Sequence, residues 1–365
     1  MPTSSKVLVV GGGIVGSACA YYLTLAEADV TLIERKDIAA EASGASQGFV
    51  DWASGLSRDT LNFVYESIQL LKTAARDLDD FTLTLDGYLM VAVNDGEIAG
   101  LRRRYDRARE AHLDVQWLEG AVVRTFEPAL SRDVVAGLYM PDSGHVNPKR
   151  MTLAFARAAE RRGAQLVPGV EIIRLETRGG RVVGAASTDR VYAADHVVLA
   201  AGAWSPKLAA PLGINLPIEP GKGQILATHP LPPITTRVIN SSGAGVCQDR
   251  AGAVLVGSTL EFVGFDKNVS DLAGRELLSD AARIVPALQE ARIQRMWAGL
   301  RPMTPDQMSM IGEAPGVRNL WLAAGHSRTG LSYAPGTGRA IADLVMRGNT
   351  TLPIQHFRVD RFARQ

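Results

Sequence analysis

The chain has 365 residues, too many for one ordinary hydrophobic core and a natural length for two domains. Its 39 basic and 38 acidic residues leave a net charge of +1, so no charge excess points to nucleic acid or an anionic membrane as partner. Two cysteines (Cys19 and Cys247) and six scattered histidines exclude a disulfide framework and a metal-ligand motif, and no run reaches the roughly 18 apolar residues of a membrane span.

The first signal along the chain is "KVLVV" (6–10), a short β-branched run that predicts a strand buried on both faces. A helical pattern follows from Ile14 to Ala26, and "DVTLIE" (29–34) predicts the next strand, completing a βαβ start. Lys6 and the apolar run after it mimic a secretory signal, but four glycines within six positions do not suit an h-region; the expected location is cytoplasmic, with a peripheral membrane position left open. Helices are predicted over 60–80 and 96–112, a strand at "YLMVAV" (88–93), and a helix over 149–162 with Pro148 just before its start. Residues 164–188, with a Gly-Gly turn, predict a β-meander, and "HVVLAAGAW" (196–204) a buried strand entering a glycine turn. Strands punctuated by Gly and Pro are expected over 216–265, a helix over 271–291, a strand at "NLWLAAG" (319–325) and a last helix carrying Pro335.

The pattern predicts an α/β fold in two domains. A Rossmann-like dinucleotide domain with a parallel sheet and a β-meander takes 1–83, 141–215 and 296–365. An inserted α+β substrate domain on a mostly antiparallel sheet takes 84–140 and 216–295.

Gly11-x-Gly13-x-x-Gly16 lies between the first strand and the first helix, the context in which such a motif binds a dinucleotide. The first glycine permits the tight turn, the second lets a pyrophosphate approach the backbone, and the third lets helix and strand pack. Helix N-terminal amides, among them those of Ile14 and Val15, then face the anion. Glu34 closes the second strand, placed to accept the ribose hydroxyl protons of an adenosine, with Arg35 beside it. A second Gly-rich fingerprint and a redox cysteine pair are both absent, so one dinucleotide is implied; the motif alone leaves NAD and FAD open.

Seven stretches in order then resemble the FAD-dependent amino acid oxidoreductases related to D-amino acid oxidase. The nearest branch contains glycine oxidase, hydrogen cyanide synthase and the β subunits of opine and hydroxyproline dehydrogenases. The stretches are GGGIVG, Glu34-Arg35, "ASGASQG" (42–48), "LAAGAW" (199–204), "GKGQIL" (221–226), "WAGLRPMTPD" (297–306) and "GHSRTGLSYAPGTG" (325–338). "STLEFVGFD" (258–266) points to the same branch.

The resemblance implies non-covalent FAD, because Gln47 stands near where some relatives attach flavin through a His. It implies that Ser43, Gly44, Ser46, Gln47 and Gly48 form a loop across the flavin pyrophosphate. It places Val170 at the adenine, and Ala201, Gly202 and Trp204 close to the cofactor. The C-terminal turn of Gly325, His326, Arg328, Thr329, Gly330 and Leu331 is placed against the isoalloxazine. His326 reads either as packing for that turn or as an acid-base group. Arg301, between an aromatic and a proline in an apolar setting, needs an anionic partner. Either a protein carboxylate or the substrate carboxylate serves, and the resemblance assigns the latter.

Where glycine oxidases carry a substrate-facing Tyr, this chain has Val246 and Cys247 in "GAGVCQD" (243–249). That puts glycine in doubt as substrate and makes Tyr88 and His145 candidate polar groups. The expected reaction is oxidation of the C–N bond of a D-amino acid, an opine or a (hydroxy)proline to the imine, with hydride passing to flavin N5. The alternatives are the catalytic subunit of a multi-subunit dehydrogenase feeding electrons to partner subunits or a quinone, and an NAD-dependent dehydrogenase.

Overall fold

In a computed structural model that describes residues 5–52 and 57–362, the strand Lys6–Val10 lies at the centre of a six-stranded sheet. It pairs in parallel with Asp29–Glu34 on one side and His196–Leu199 on the other. Gln165–Pro168 extends the sheet beyond Asp29–Glu34, and Leu320–Ala324 beyond His196–Leu199, both in parallel. Only the edge strand Met310–Glu313 runs antiparallel. Val9, Leu32, Val198 and Leu322 are all fully buried. Each buried aliphatic side chain of this kind contributes about 1.5–3 kcal/mol.

Both faces of the sheet are covered, as continuous apolar strands require. The helices Ile14–Leu25, Pro148–Arg161 and Gly330–Arg347 pack on one face. Gly338 lies against the Ala18 backbone, 2.7 Å from where its Cβ would stand, so the first and last helices meet at backbone distance. The other face carries a three-stranded meander of Arg174–Arg178, Arg181–Ala186 and Val191–Ala193. The meander therefore starts later than 164: Gln165–Pro168 pairs with Asp29–Glu34 because its register continues the parallel sheet. Pro148 is the first residue inside its helix, with Asn147 as cap.

An eight-stranded sheet forms the second layer of architecture, in the order Ile293–Met303, Glu219–Thr228, Val254–Gly257, Gly245–Gln248, Val238–Asn240, Tyr88–Ala92, Ala136–Met140 and Gln116–Glu119. It is antiparallel except where Val238–Asn240 runs parallel to Tyr88–Ala92. Residues 296–303, grouped by sequence with the dinucleotide domain, belong to the edge strand of this sheet and pair with Glu219–Thr228 along their length. Helix Asp271–Ile284 packs on it through Leu277 and Ala281. Among the described residues no helix is long and apolar enough to cross a membrane.

Val10, Glu34, Leu199 and Ala324 end their parallel strands at one edge. Ligands of open α/β sheets bind outside such carboxyl ends.

Candidate functional site

A cavity of about 480 Å³ opens at that edge and runs from Glu34, Arg35 and Val170 to Arg301 and Tyr88. Its size is in the range of small-molecule sites.

At one end the glycine turn is built as its spacing requires. Gly11 has φ +114°, and a Cβ there would land on the Ala200 carbonyl. A Cβ on Gly16 would land on the Gly11 carbonyl, so Gly16 sets the helix against the strand without itself lining the cavity. Gly13 caps the first helix with no side-chain hydrogen bond of its own. A Cβ built there would meet only Ser43 Oγ, tightly at 3.0 Å, and Gly13, Ile14 and Val15 all line the cavity. The Gly12 amide donates to Glu34 Oε2 at 2.7 Å and the Lys36 amide to Oε1 at 2.9 Å, which fixes the carboxylate at the cavity wall. A helix N-terminus with a glycine cradle and an acid at the end of the second strand fit the pyrophosphate and ribose of a dinucleotide.

The loop Ala42–Gly48 crosses beside this cradle. Ser43 Oγ accepts the Ile14 amide at 2.9 Å, so that amide, expected from the sequence to face an anion, is taken up by the loop, and Ser46 lines the cavity. Gly44 and Gly48 do not line it; a Cβ on either would strike the carbonyl of Ala39 or Val146, so they let the loop pack. Gln47 reaches the cavity wall but its Nε2 donates to the Gly245 and Leu255 carbonyls at 2.6 and 3.1 Å, which ties the loop to the eight-stranded sheet. Val170 lines the far end, but its amide already donates to the Glu34 carbonyl at 3.0 Å, so an adenine there would meet only its carbonyl. Ala201, Gly202 and Trp204 form the adjoining wall, with the Arg35 guanidinium 3.6 Å from the Trp204 ring centre.

At the other end, Gly325, His326, Arg328, Thr329, Gly330 and Leu331 all line the cavity at the start of the last helix, which has no side-chain cap. Pro335 stays inside that helix, which continues to Arg347. His326 is buried, and burial pushes its imidazole down to about 3. Its Nε2 lies 3.0 Å from Thr337 Oγ1. A neutral ring held this way packs the turn.

Arg301 stands open to the same cavity. Its Nη1 donates to the Thr259 carbonyl at 3.1 Å and its Nη2 to Ser258 Oγ. Among the described residues no carboxylate forms an ion pair with it, and burial together with the neighbouring Arg328 pushes the guanidinium down to about 10. It is therefore cationic at neutral pH and held only by neutral groups. Tyr88 also lines the cavity. Burial, with a further push from Asp51, holds its phenol well above the usual range, so it stays protonated and can donate a hydrogen bond but does not give up its proton.

His145 is not brought to the site. It pairs with Phe49 on a two-residue ribbon, and its Nδ1 is buried with no hydrogen-bond partner among the described residues. Val246 and Cys247 are buried away from the cavity; Gly245, one residue earlier, is the position of that strand that reaches the wall. Sequence reasoning missed Phe49, Gly223, Ser258 and Thr259. The signal for the last two was present in "STLEFVGFD", but their contact with Arg301 crosses between strands distant in sequence.

A model of the family described as FAD dependent oxidoreductase (DAO) matches residues 6–344. A glycine oxidase of Geobacillus kaustophilus is 32% identical over 365 residues, which cover 97% of this chain and 96% of the relative. The crystal structure of glycine oxidase from Geobacillus kaustophilus superposes with a TM-score of 0.92 at 29% identity, covering 98% of this chain and 99% of that one. That of L-proline dehydrogenase from P. horikoshii also gives 0.92, at 27% identity over 100% and 99% of the two chains.

Proposed function

The chain belongs to the DAO family of FAD-dependent oxidoreductases, and on that premise we propose that it oxidises the C–N bond of an amino or imino acid to the imine. The observation that carries the substrate class is Arg301: a desolvated guanidinium, open to the cavity and held only by neutral groups. A fork of donors in that state takes a carboxylate bidentately, and the substrate brings one.

In this reading the parallel-sheet side holds FAD between Glu34 and Gly330, and the eight-stranded sheet presents the substrate through Arg301 and Tyr88. When bound, FAD supplies the two-electron acceptor for the hydride lost from the carbon next to nitrogen. The protein's own share is positioning. Arg301 fixes the carboxylate, the protonated Tyr88 offers a hydrogen bond, and His326, neutral and tied to Thr337, takes no part in proton transfer.

Relatives named glycine oxidase and L-proline dehydrogenase support a primary or a secondary amino acid as the substrate in this reading. Gly245 at the wall, with Phe49 and Tyr88 beside it, leaves room for a substituent larger than that of glycine, such as a proline ring or the second arm of an opine.

The test is anaerobic bleaching of the bound flavin by a panel of D- and L-amino acids, prolines and opines. A flavin that no member of the panel reduces sinks the proposal. Peroxide yield per turnover then separates an oxidase from a dehydrogenase that passes electrons to partner subunits or a quinone.

A further inference from the structure

The segment that follows Arg301's two partners leaves the eight-stranded sheet and crosses to the dinucleotide side. Its near end is pinned. Glu261 Oε1 accepts Thr259 Oγ1 and Gln224 Nε2, both at 2.7 Å, while Glu261 Oε2 lies 3.0 Å from the buried Lys222 Nζ. Backbone hydrogen bonds between Lys222 and Glu261 run in both directions, at 2.8 and 2.9 Å. The Ser270 amide donates to Gln224 Oε1 at 2.8 Å and so fixes the return.

Its free stretch meets two residues of the cavity wall. The Phe265 ring packs on Trp204 with centroids 5.1 Å apart and planes 33° from parallel. Lys267 Nζ donates to Glu41 Oε2 at 3.0 Å. Trp204 in turn carries the Arg35 guanidinium, and Arg35 Nη2 donates to Glu41 Oε1 at 2.9 Å. With the chain from Phe265 to Lys267, these contacts close a ring: Arg35, Trp204, Phe265, Lys267, Glu41 and back to Arg35. Arg35, Glu41 and Trp204 line the cavity, whereas Phe265 and Lys267 stand outside them.

We propose that Phe265 and Lys267 are cofactor-retaining residues, a strap that closes the dinucleotide end of the cavity from outside. A dinucleotide leaving past Arg35 and Trp204 has to part this ring. Phe265 and Lys267 do not line the cavity, so the strap acts on retention through Trp204 and Glu41 and not by contact with the substrate. The inference rests on FAD lying in the cavity between Glu34 and Gly330, as proposed above.

The experiment is the rate of flavin release from the holoenzyme, followed by the fluorescence of free flavin after dilution, for wild type, Phe265→Ala, Phe265→Leu and Lys267→Met. Each of Phe265→Ala and Lys267→Met is expected to release flavin about three- to tenfold faster, the size of effect that one exposed aromatic contact or ion pair gives. Phe265→Leu should recover part of the loss. Wild-type release should quicken with added salt, and Lys267→Met should weaken that dependence, since one of the screened pairs on Glu41 is gone while those of Arg35 and Lys36 remain. Equal apo-protein melting temperatures across the set assign the change to retention and not to folding. Release rates and salt dependence that match wild type in both variants overturn the strap while leaving the amine oxidation intact. Failure of any amine to reduce a normally retained flavin overturns the oxidation and leaves the strap standing.

Discussion

Gly223 lies against the Arg301 guanidinium so closely that a Cβ on Gly223 would occupy the space of its Cζ and both Nη atoms. The glycine of "GKGQIL" thus makes the floor on which the substrate arginine lies, and Thr259 and Ser258 make its walls. Arg301→Ala should raise KM by about ten- to 150-fold for each charge-assisted hydrogen bond lost, while flavin content stays at wild type. Gly223→Ala should raise KM in the same direction by displacing an arginine that is still present. Steady-state kinetics with the flavin-to-protein absorbance ratio check both, and an unchanged KM in Gly223→Ala would contradict the floor.

The two glycines of the C-terminal turn should behave differently. Gly325 has φ +69°, and its Cβ would stand 2.7 Å from Thr304 Cγ2. Gly325→Ala combines a left-handed backbone cost of about 1–2 kcal/mol with that clash and should lower flavin occupancy. Gly330 has its nearest neighbour 3.8 Å from a Cβ, so Gly330→Ala should retain flavin, whereas Gly330→Leu should project into the cavity and lose it. Flavin content of the three purified variants decides this, and a Gly330→Ala protein without flavin would refute it.

How far these features were legible in the sequence depends on how local they are. The βαβ start, Glu34 at its strand end and the turn before the last helix are written in contiguous residues, and the structure places all of them at one sheet edge. The strand Gln165–Pro168 looked like part of a meander because pairing direction is not encoded in a four-residue apolar run. Strands Gln116–Glu119 and Ala136–Met140 fall in the 84–140 stretch expected to be mostly antiparallel, but neither stands out singly, because both are short and held by partners across the sheet. At the site, Arg301 stood out because a guanidinium in an apolar stretch demands a partner, but Gly223 and Thr259 could be joined to it only once the strands were paired. Of the strand that carries Val246 and Cys247, only Gly245 reaches the cavity wall, because successive residues of a strand face opposite sides and Val246 is turned to the core.

Gly245 offers a test of substrate size. A Cβ there would stand 2.5 Å from the Phe49 ring, which packs edge-on against Tyr88 with centroids 5.6 Å apart. Gly245→Ala should push Phe49 toward the cavity and narrow it. The ratio of kcat/KM for the smallest accepted amino acid to that for a bulkier one should rise, by about ten- to 200-fold at most for one methyl group. Paired kinetics with the two substrates measure it, and a ratio that falls or stays constant would show that this wall does not select for size.

His326 should leave a signature in the pH dependence of stability. Its imidazole is buried against Thr337 and pushed down to about 3, below the ordinary value of 6.5. Between pH 6.5 and about 3 the unfolded chain binds a proton at this position and the folded chain does not. More protons on the unfolded state mean that stability rises with pH, so lowering the pH through this window destabilises the fold. The slope from this one group is at most about 1.4 kcal/mol per pH unit, fully developed only below 6.5 and absent above it. His326→Gln has no proton to gain, and its urea-unfolding free energy should fall less steeply over the same window. The difference in slope between wild type and variant, measured from pH 7 downward, isolates this residue from the carboxylates that titrate in both proteins. Parallel curves would mean that the folded protein accommodates a charged imidazole at this turn, and the assignment of His326 to neutral packing would then fail.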